Sequence, residues 1–278
     1  MKLWILGSGS KGNALLVECD GQRVLVDAGF PSRTLAARLG AIGVAPESIE
    51  AAVITHEHGD HACGAARSAA EWGWKLHATA GTLACCPSLR KAGARSFATG
   101  ATIDLGRIRV ETTETSHDAA ESVALVVTCR RTGARLGIAY DLGAATPPLA
   151  RALRDLDLLV LESNHDDDML RFGPYPRVVQ NRIAGRRGHL SNGDAARLAQ
   201  SCAHGGLRQL VLAHVSEQCN TPGTAHRAVS EAVRATRFRG RIDVAGQRTI
   251  SGPYHVGARK SAAVQLELGL SVAGRTVR

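Results

Sequence analysis

Apolar residues fall in short runs along the chain, and most runs stop at glycine, aspartate, serine or histidine. Runs at 2–6, 14–18, 23–26, 51–54, 75–78, 122–129, 136–140, 156–161, 207–213 and 241–245 have strand length and are dominated by Val, Leu, Ile and Ala. Residues 102–111 read as a hairpin turning at Gly106-Arg107. Between them, 32–39, 62–72, 79–86, 147–154, 177–185, 192–203 and 224–236 read as helices. Ser32, Asp60 and Ser191 stand where an N-cap is wanted, and Pro147-Pro148 suits a first turn. Alternating strands and helices define an α/β chain. The pattern alone leaves a sandwich and a parallel sheet both open.

The signal declines after residue 250, so we expect one domain over 1–258 and a loosely attached C-terminal tail over 259–278, with 247–249 opening a terminal hairpin. No internal repeat stands out. The first strand is interrupted at Gly7, which does not suit a secretory leader, and no run reaches membrane-spanning length. A cytoplasmic protein is expected, with no membrane partner.

Where the apolar runs stop, chemistry-bearing residues begin. After 51–54 comes Thr55-His56-Glu57-His58-Gly59-Asp60-His61, with three imidazoles and two carboxylates in six consecutive positions. A helix cap explains Asp60 but asks for no histidine. His56 and His58 can converge on one cation at a strand mouth, while Asp60 and His61, beyond Gly59, reach a second. His117 and His214 also follow strands, and Asp141 ends one. Each is weak alone, since an aspartate at a strand end is more often a turn cap. His77, set in an apolar alternation, suits a core or edge position better than a ligand.

Near the N-terminus, Gly7-Ser8-Gly9-Ser10-Lys11-Gly12-Asn13 lacks the spacing of a dinucleotide or Walker loop, yet Ser8, Ser10 and Asn13 could donate to a phosphate. In Gly188-His189-Leu190-Ser191-Asn192, helix capping by Ser191 accounts for the serine and leaves His189 unexplained.

The run His-x-His-x-Asp-His resembles the metallo-β-lactamase superfamily of hydrolases. Gly-Ser-x-Gly-Asn near the start, Ser116-His117-Asp118, Glu162-Ser163-Asn164-His165-Asp166 and Gly188 through Asn192 are similar to its YycJ/WalJ-like nuclease and phosphodiesterase branch. The resemblance covers the chain to about Gly252. It implies an αββα four-layer sandwich with two divalent metal ions, zinc first and manganese as the alternative. His56, His58 and His117 would hold one ion, Asp60, His61 and His214 the other, and Asp141 would bridge. Asp27, of Asp27-Ala28-Gly29, and Glu162 become supports behind the ligands. Ser8, Ser10, Asn13, Asn164, His165, Ser191 and Asn192 become substrate contacts. Asp60 and His189 become catalytic, His189 by positioning phosphate or protonating the leaving group.

Composition adjusts this only slightly. A formal charge of +9 and a pI near 9.6 favour anionic partners, with a local basic group at Arg177, Arg182, Arg186 and Arg187. The expected activity is hydrolysis of phosphodiester bonds in DNA, as a 5′-to-3′ exonuclease. The alternatives are a small-molecule or cyclic phosphodiesterase, and a non-catalytic nucleic-acid-binding module stabilised by metal. Seven cysteines without Cys-x-x-Cys spacing read as free thiols.

Overall fold

The computed structural model describes residues 1–257. Two seven-stranded sheets divide the chain. The first contains β1 (Lys2–Gly7), β2 (Ala14–Cys19), β3 (Gln22–Val26), β4 (Ala51–Val53), β5 (Lys75–Thr79) and β6 (Arg95–Phe97) in that order, with the last strand, β14 (Ser251–His255), beside β1. The second runs β7 (Thr102–Asp104), β8 (Ile108–Glu114), β9 (Val123–Cys129), β10 (Arg135–Ala139), β11 (Leu158–Glu162), β12 (Gln209–Ala213) and β13 (Arg241–Val244).

Helices α1 (Ser32–Ala41), α2 (Gly59–Ala62), α3 (Ala65–Trp72), α4 (Ala80–Cys85) and α5 (Pro87–Lys91) accompany the first sheet. Helices α6 (Pro147–Ala152), α7 (Asp167–Arg171), α8 (Arg177–Ile183), α9 (Asn192–Cys202) and α10 (Pro222–Val233) accompany the second. Strand alternation builds the layers. In β1, Leu3 and Ile5 face the second sheet, packing with residues such as Leu125, Ile138 and Val160, while Trp4 and Leu6 join Leu35 and Leu39 of α1 on the outside. In β11, Leu158 and Val160 point between the sheets, and Leu159 and Leu161 meet Leu198 of α9 and Val229 of α10. Helix, sheet, sheet, helix is therefore the order of layers, as the resemblance implies.

Each sheet repeats one plan: four antiparallel strands (β14-β1-β2-β3 and β7-β8-β9-β10), then three that run parallel to the last of them (β4-β5-β6 and β11-β12-β13). No sequence repeat announces this, because strand order is set by long-range pairing. Loops leaving the ends of β3, β4, β10, β11 and β12 gather at one end of the sandwich, the usual place for ligands in parallel arrangements.

Several local expectations are corrected. Ser32 is the first helical residue of α1 rather than its cap, which is Pro31. The expected helix over 62–72 is broken, because the Gly64 amide donates to Ala28 O at 2.9 Å and a Cβ there would lie 1.9 Å from Phe30 O. Asp60 lies inside α2, and His58 takes the cap position without a side-chain bond. No terminal hairpin forms at 247–249, since β14 instead pairs antiparallel with β1. Cys19 and Cys129, expected as free thiols, are joined across the two sheets with Cα atoms 6.2 Å apart. Ser191 does cap α9, accepting from the Asp194 amide. The expected tail at 259–278 lies outside the described residues.

Candidate metal centre

The stretch after β4 folds back on the loop after β3. Gly29 makes the approach feasible, because a Cβ there would fall 1.7 Å from the Asp60 carbonyl oxygen. The Asn13 amide donates to that same carbonyl at 2.7 Å, and the Ala28 amide donates to His61 O at 2.8 Å. His56 and His61 are thereby buried, while His58 and Asp60 remain partly exposed.

The second half supplies single residues from separate loops: His117 before β9, Asp141 after β10, His189 before α9 and His214 after β12. Asp141 and His214 sit in the left-handed region, at φ 56° and 51°. Non-glycine residues rarely adopt it, and such strain clusters at functional sites.

Two triads result. His56, His58 and His117 offer ring nitrogens within 4.8 Å of one another, and Asp60, His61 and His214 offer atoms equally close. Asp141 links them by forming such a set with His56 and His61, and another with Glu162, His189 and His214. His56 Nε2, Asp141 Oδ2 and His214 Nε2 are buried without hydrogen-bond partners. Buried polar atoms rarely stay unpaired, so these fit a divalent cation.

His61 strengthens the fit. Its Nδ1 lies 2.7 Å from Asp27 Oδ2, and its Nε2 lies 2.8 Å from Asp141 Oδ2 without forming a hydrogen bond. Between two carboxylates the metal-free ring keeps protons on both nitrogens, and a cation at Nε2 can take the place of the proton there. Burial alone would lower the His61 pKa, but Asp141 and Asp27 raise it well above the usual value. His214 behaves alike: burial lowers it, Asp141, Asp60 and Glu162 raise it, and the result is about 9. Asp60, which burial would raise, is held well below its usual value by His214 and His61. His56 is pushed well down by burial and by His61.

Asp27 is fully committed behind this layer. It accepts from Thr55 N at 2.7 Å, Thr55 Oγ1 at 2.8 Å and Tyr140 Oη at 2.6 Å, besides His61. Glu162 lies on the inward face of β11 with Leu158 and Val160 and closes the strand, one residue beyond the expected run at 156–161. It accepts from Leu142 N at 2.7 Å and faces His189 Nδ1 at 2.8 Å and His214 Nδ1 at 3.2 Å. Both rings are thus turned so that Nε2 points away from Glu162. Burial would raise the Glu162 pKa, yet His189 and His214 bring it to about 2. His189, which burial would lower, is raised to about 10 by Glu162 and Asp141.

A cavity of about 190 Å³ opens on this centre, lined by Ser10, His58, Asp60, His117, Asp118, Asp141, Arg182, His189 and His214. Of the expected substrate contacts, Ser10 and His189 are among these. Ser8 and Asn13 are buried and spent internally: Ser8 Oγ accepts from His214 N at 2.9 Å and bonds Asn13 Oδ1 at 3.1 Å. Asn13 Nδ2 stands 3.0 Å from His61 Nε2. Asn164 Nδ2 donates to His214 O at 2.9 Å, and Asn192 is bonded to Ser163 and Asn220. His165 is buried and bridges by its backbone to Ser191. None of these lines the cavity: the Ser8, Asn13, Asn164 and Asn192 side chains brace loops, and the buried His165 Nδ1 has no hydrogen-bond partner.

Sequence reasoning overlooked Asp118 and Arg182 as cavity residues. Asp118 stands in the quoted Ser116-His117-Asp118 run, its Oδ1 3.4 Å from His117 Nε2 and its Oδ2 2.6 Å from Arg182 Nε. Spacing could have found Asp118. Arg182 is 64 residues away, and nothing local links the two.

The fold and the paired His/Asp triads together define a metal-dependent hydrolase. The description of the beta-lactamase superfamily domain matches residues 22–215, and the chain belongs to that superfamily. Within it, the chain is 30% identical over 231 residues to the exodeoxyribonuclease WalJ of Streptococcus pneumoniae serotype 2, covering 81% of this chain and 85% of the relative. It is 30% identical over 241 residues to the exodeoxyribonuclease YycJ of Bacillus anthracis, covering 84% and 89%. The metallo-beta-lactamase fold protein YhfI of Bacillus subtilis superposes with a TM-score of 0.68 at 17% identity, covering 90% of this chain and 99% of YhfI. The short form of human tRNase Z superposes with a TM-score of 0.64 at 17% identity, covering 92% and 100%. Among the described residues, no helix is long and apolar enough to cross a membrane.

Proposed function

We propose that the protein hydrolyses phosphodiester bonds of DNA from the 5′ end, as a 5′-to-3′ exonuclease, using two divalent cations. The observation that carries this reading is the pairing of His189 with Glu162 at 2.8 Å, at the wall of a cavity that also meets both His/Asp triads. Relatives with the name exodeoxyribonuclease, similar over most of their length, support DNA as the polymer.

His56, His58 and His117 would hold one cation, Asp60, His61 and His214 the other, with Asp141 between them. Bound cations lower the pKa of water and screen the charge of a phosphate. Zinc suits the imidazole-rich set best, and manganese tolerates the same donors. Asp27 fixes the His61 tautomer from behind, and Glu162 does so for His214 and His189. His189 turns Nε2 to the cavity as a cation at neutral pH, which lets it hold a phosphate oxygen or hand its proton to the departing 3′ oxygen. Asp60, held ionised, serves as ligand and orients water instead of acting as a free base. Ser10 offers a further hydroxyl at the cavity. Residues 1–258 would form this one hydrolase domain, working in the cytoplasm with the DNA it degrades.

The test is metal analysis combined with hydrolysis of 5′-phosphorylated DNA, with bis(p-nitrophenyl) phosphate as the small diester. Absence of metal-dependent cleavage with both zinc and manganese sinks the proposal. Cleavage of bis(p-nitrophenyl) phosphate or a cyclic nucleotide but not DNA supports the second reading, a small-molecule phosphodiesterase. That reading has one observation in its favour, because about 190 Å³ encloses a phosphate and its near substituents but not a polymer. A non-catalytic module would need a closed centre, and this one opens to the surface.

A further inference from the structure

Of the five imidazoles in the two triads, four have the nitrogen that faces away from the centre occupied by a partner. His56 Nδ1 stands 3.1 Å from Thr55 Oγ1, His61 Nδ1 2.7 Å from Asp27, His117 Nδ1 3.0 Å from Gly188 O and His214 Nδ1 3.2 Å from Glu162. Such partners fix which nitrogen of a metal-binding ring carries the proton and how the ring is turned. His58 is the exception. Its Nδ1 faces His117 Nε2 at 3.3 Å, as two donors to one ion do, which leaves Nε2 as the outer nitrogen.

One carboxylate reaches toward that nitrogen. Asp118 Oδ1 lies 3.9 Å from His58 Nε2, too long for a hydrogen bond, and is itself buried with no hydrogen-bond partner. Buried polar atoms rarely stay unpaired, so the carboxylate oxygen and the ring nitrogen each want what the other offers. Asp118 is held in place from its far side. Its Oδ2 accepts from Arg182 Nε at 2.6 Å, and the loop around it is tied to the segment that ends α8. There Ser116 Oγ donates to Arg186 O at 2.6 Å, and Arg187 donates to His117 O at 3.0 Å and to Ala119 O at 3.3 Å. The His58 side chain is 31% exposed where the other four rings are buried, so it is the ring with room to close the gap.

We infer that Asp118 is a positioning residue for the first cation, accepting from His58 Nε2–H when that ring binds metal through Nδ1, with Arg182 pinning the other carboxylate oxygen. Water is the competing partner for a nitrogen so placed. The inference rests on the two-cation reading above and supplies the brace that one ligand lacks. It also gives Arg182 a task inside the protein, at a distance from any substrate.

The test uses zinc-loaded full-length protein, because zinc binds such donors more tightly than manganese. Titration with a competing chelator gives the affinity of each of the two zinc equivalents. Asp118→Ala should weaken one equivalent by about 10- to 100-fold, the usual worth of such a partner, and change the other much less. Asp118→Asn, which keeps an acceptor oxygen, should recover part of that loss, and Arg182→Gln should show a smaller loss of the same kind. Proton–nitrogen NMR of the ring N–H groups separates a brace from a merely structural side chain. In the wild type the His58 Nε2–H signal should persist against exchange with water. In Asp118→Ala that signal should vanish while those of His61 and His214, on Asp27 and Glu162, remain and show the variant to be folded. Equal weakening of both equivalents, or a His58 signal indifferent to Asp118, overturns the inference and leaves the two-cation reading intact. A wild type that takes up no zinc overturns both.

Discussion

Asp27 and Asp141 hold the same place in the two halves of the molecule. Each follows the strand at which its sheet turns from antiparallel to parallel, each opens an Asp-x-Gly sequence, and each sits in the left-handed region, at φ 58° and 56°. They flank one imidazole, His61, at 2.7 Å and 2.8 Å. Their surroundings then diverge. Asp27 is saturated by Thr55, Tyr140 and His61, whereas Asp141 keeps Oδ2 without a hydrogen-bond partner and lines the cavity. The backbone position delivers a carboxylate to the centre, and the neighbours decide whether it is spent on protein donors or keeps an oxygen free of them.

Replacing each in turn tests that division. Asp141→Asn removes the carboxylate shared by both triads and should lower turnover by on the order of 10³-fold or more, with loss of bound metal. Metal analysis alongside kinetics checks it. Next in size, His189→Ala should lower kcat by about 10²- to 10⁴-fold while metal content stays intact, as expected of a proton donor. Loss of both metals in that variant would place His189 among the ligands. Asp27→Asn should be milder, costing about 10- to 100-fold in metal affinity, because His61 keeps its ring and loses only its orienting partner. If Asp27→Asn is as damaging as Asp141→Asn, the distinction between brace and ligand collapses.

Proton release gives a finer view. In the metal-free protein His214 titrates near 9 and His61 well above its usual value, so both carry protons at neutral pH that a cation must displace. Apparent metal affinity should therefore rise with pH by about tenfold per unit for each proton displaced, flattening for His214 above about 9. Calorimetry in buffers of different ionisation enthalpy counts those protons. A count of zero at pH 7 would mean that neither histidine is protonated before metal arrives.

The legibility of these parts tracks their range along the chain. His56 to His61 is one continuous packet, so its chemistry could be read without a structure. His117, Asp141 and His214 became partners through family resemblance, since an isolated histidine or aspartate at a strand end carries no pairing information. Ser8 and Asn13 were expected at the substrate because polar residues in a glycine-rich loop suggest exposed donors, and Asn164 and Asn192 because the family resemblance implies it. Here they satisfy buried backbone and imidazole groups instead, which composition does not reveal. Glu162 was left outside the run at 156–161, although its even spacing from Leu158 and Val160 puts it on their face as the last residue of β11. Strand order, and with it the correspondence of Asp27 to Asp141, depends on pairings that the hydrophobic pattern does not encode.

The last comparison concerns the opposite end of the same two halves. Cys19 ends β2 and Cys129 ends β9, equivalent strands of the two sheets, and their bond closes a separation of 110 residues. Ala14 and Val123, which begin those strands, lie at the metal end, so the cysteines sit a full strand length from it. Replacing both with alanine should lower stability by about 2–5 kcal/mol, through the lost cross-link and packing, as a fall in melting temperature. Turnover at a temperature where the variant stays folded should hold within about twofold, since distant sites without shared partners act independently. In a reducing compartment the two buried sulfurs would still fill the space between the sheets as thiols, so the layers do not depend on the bond. A large loss of turnover in the folded variant would mean that the spacing of the sheets at this end is transmitted to the triads at the other.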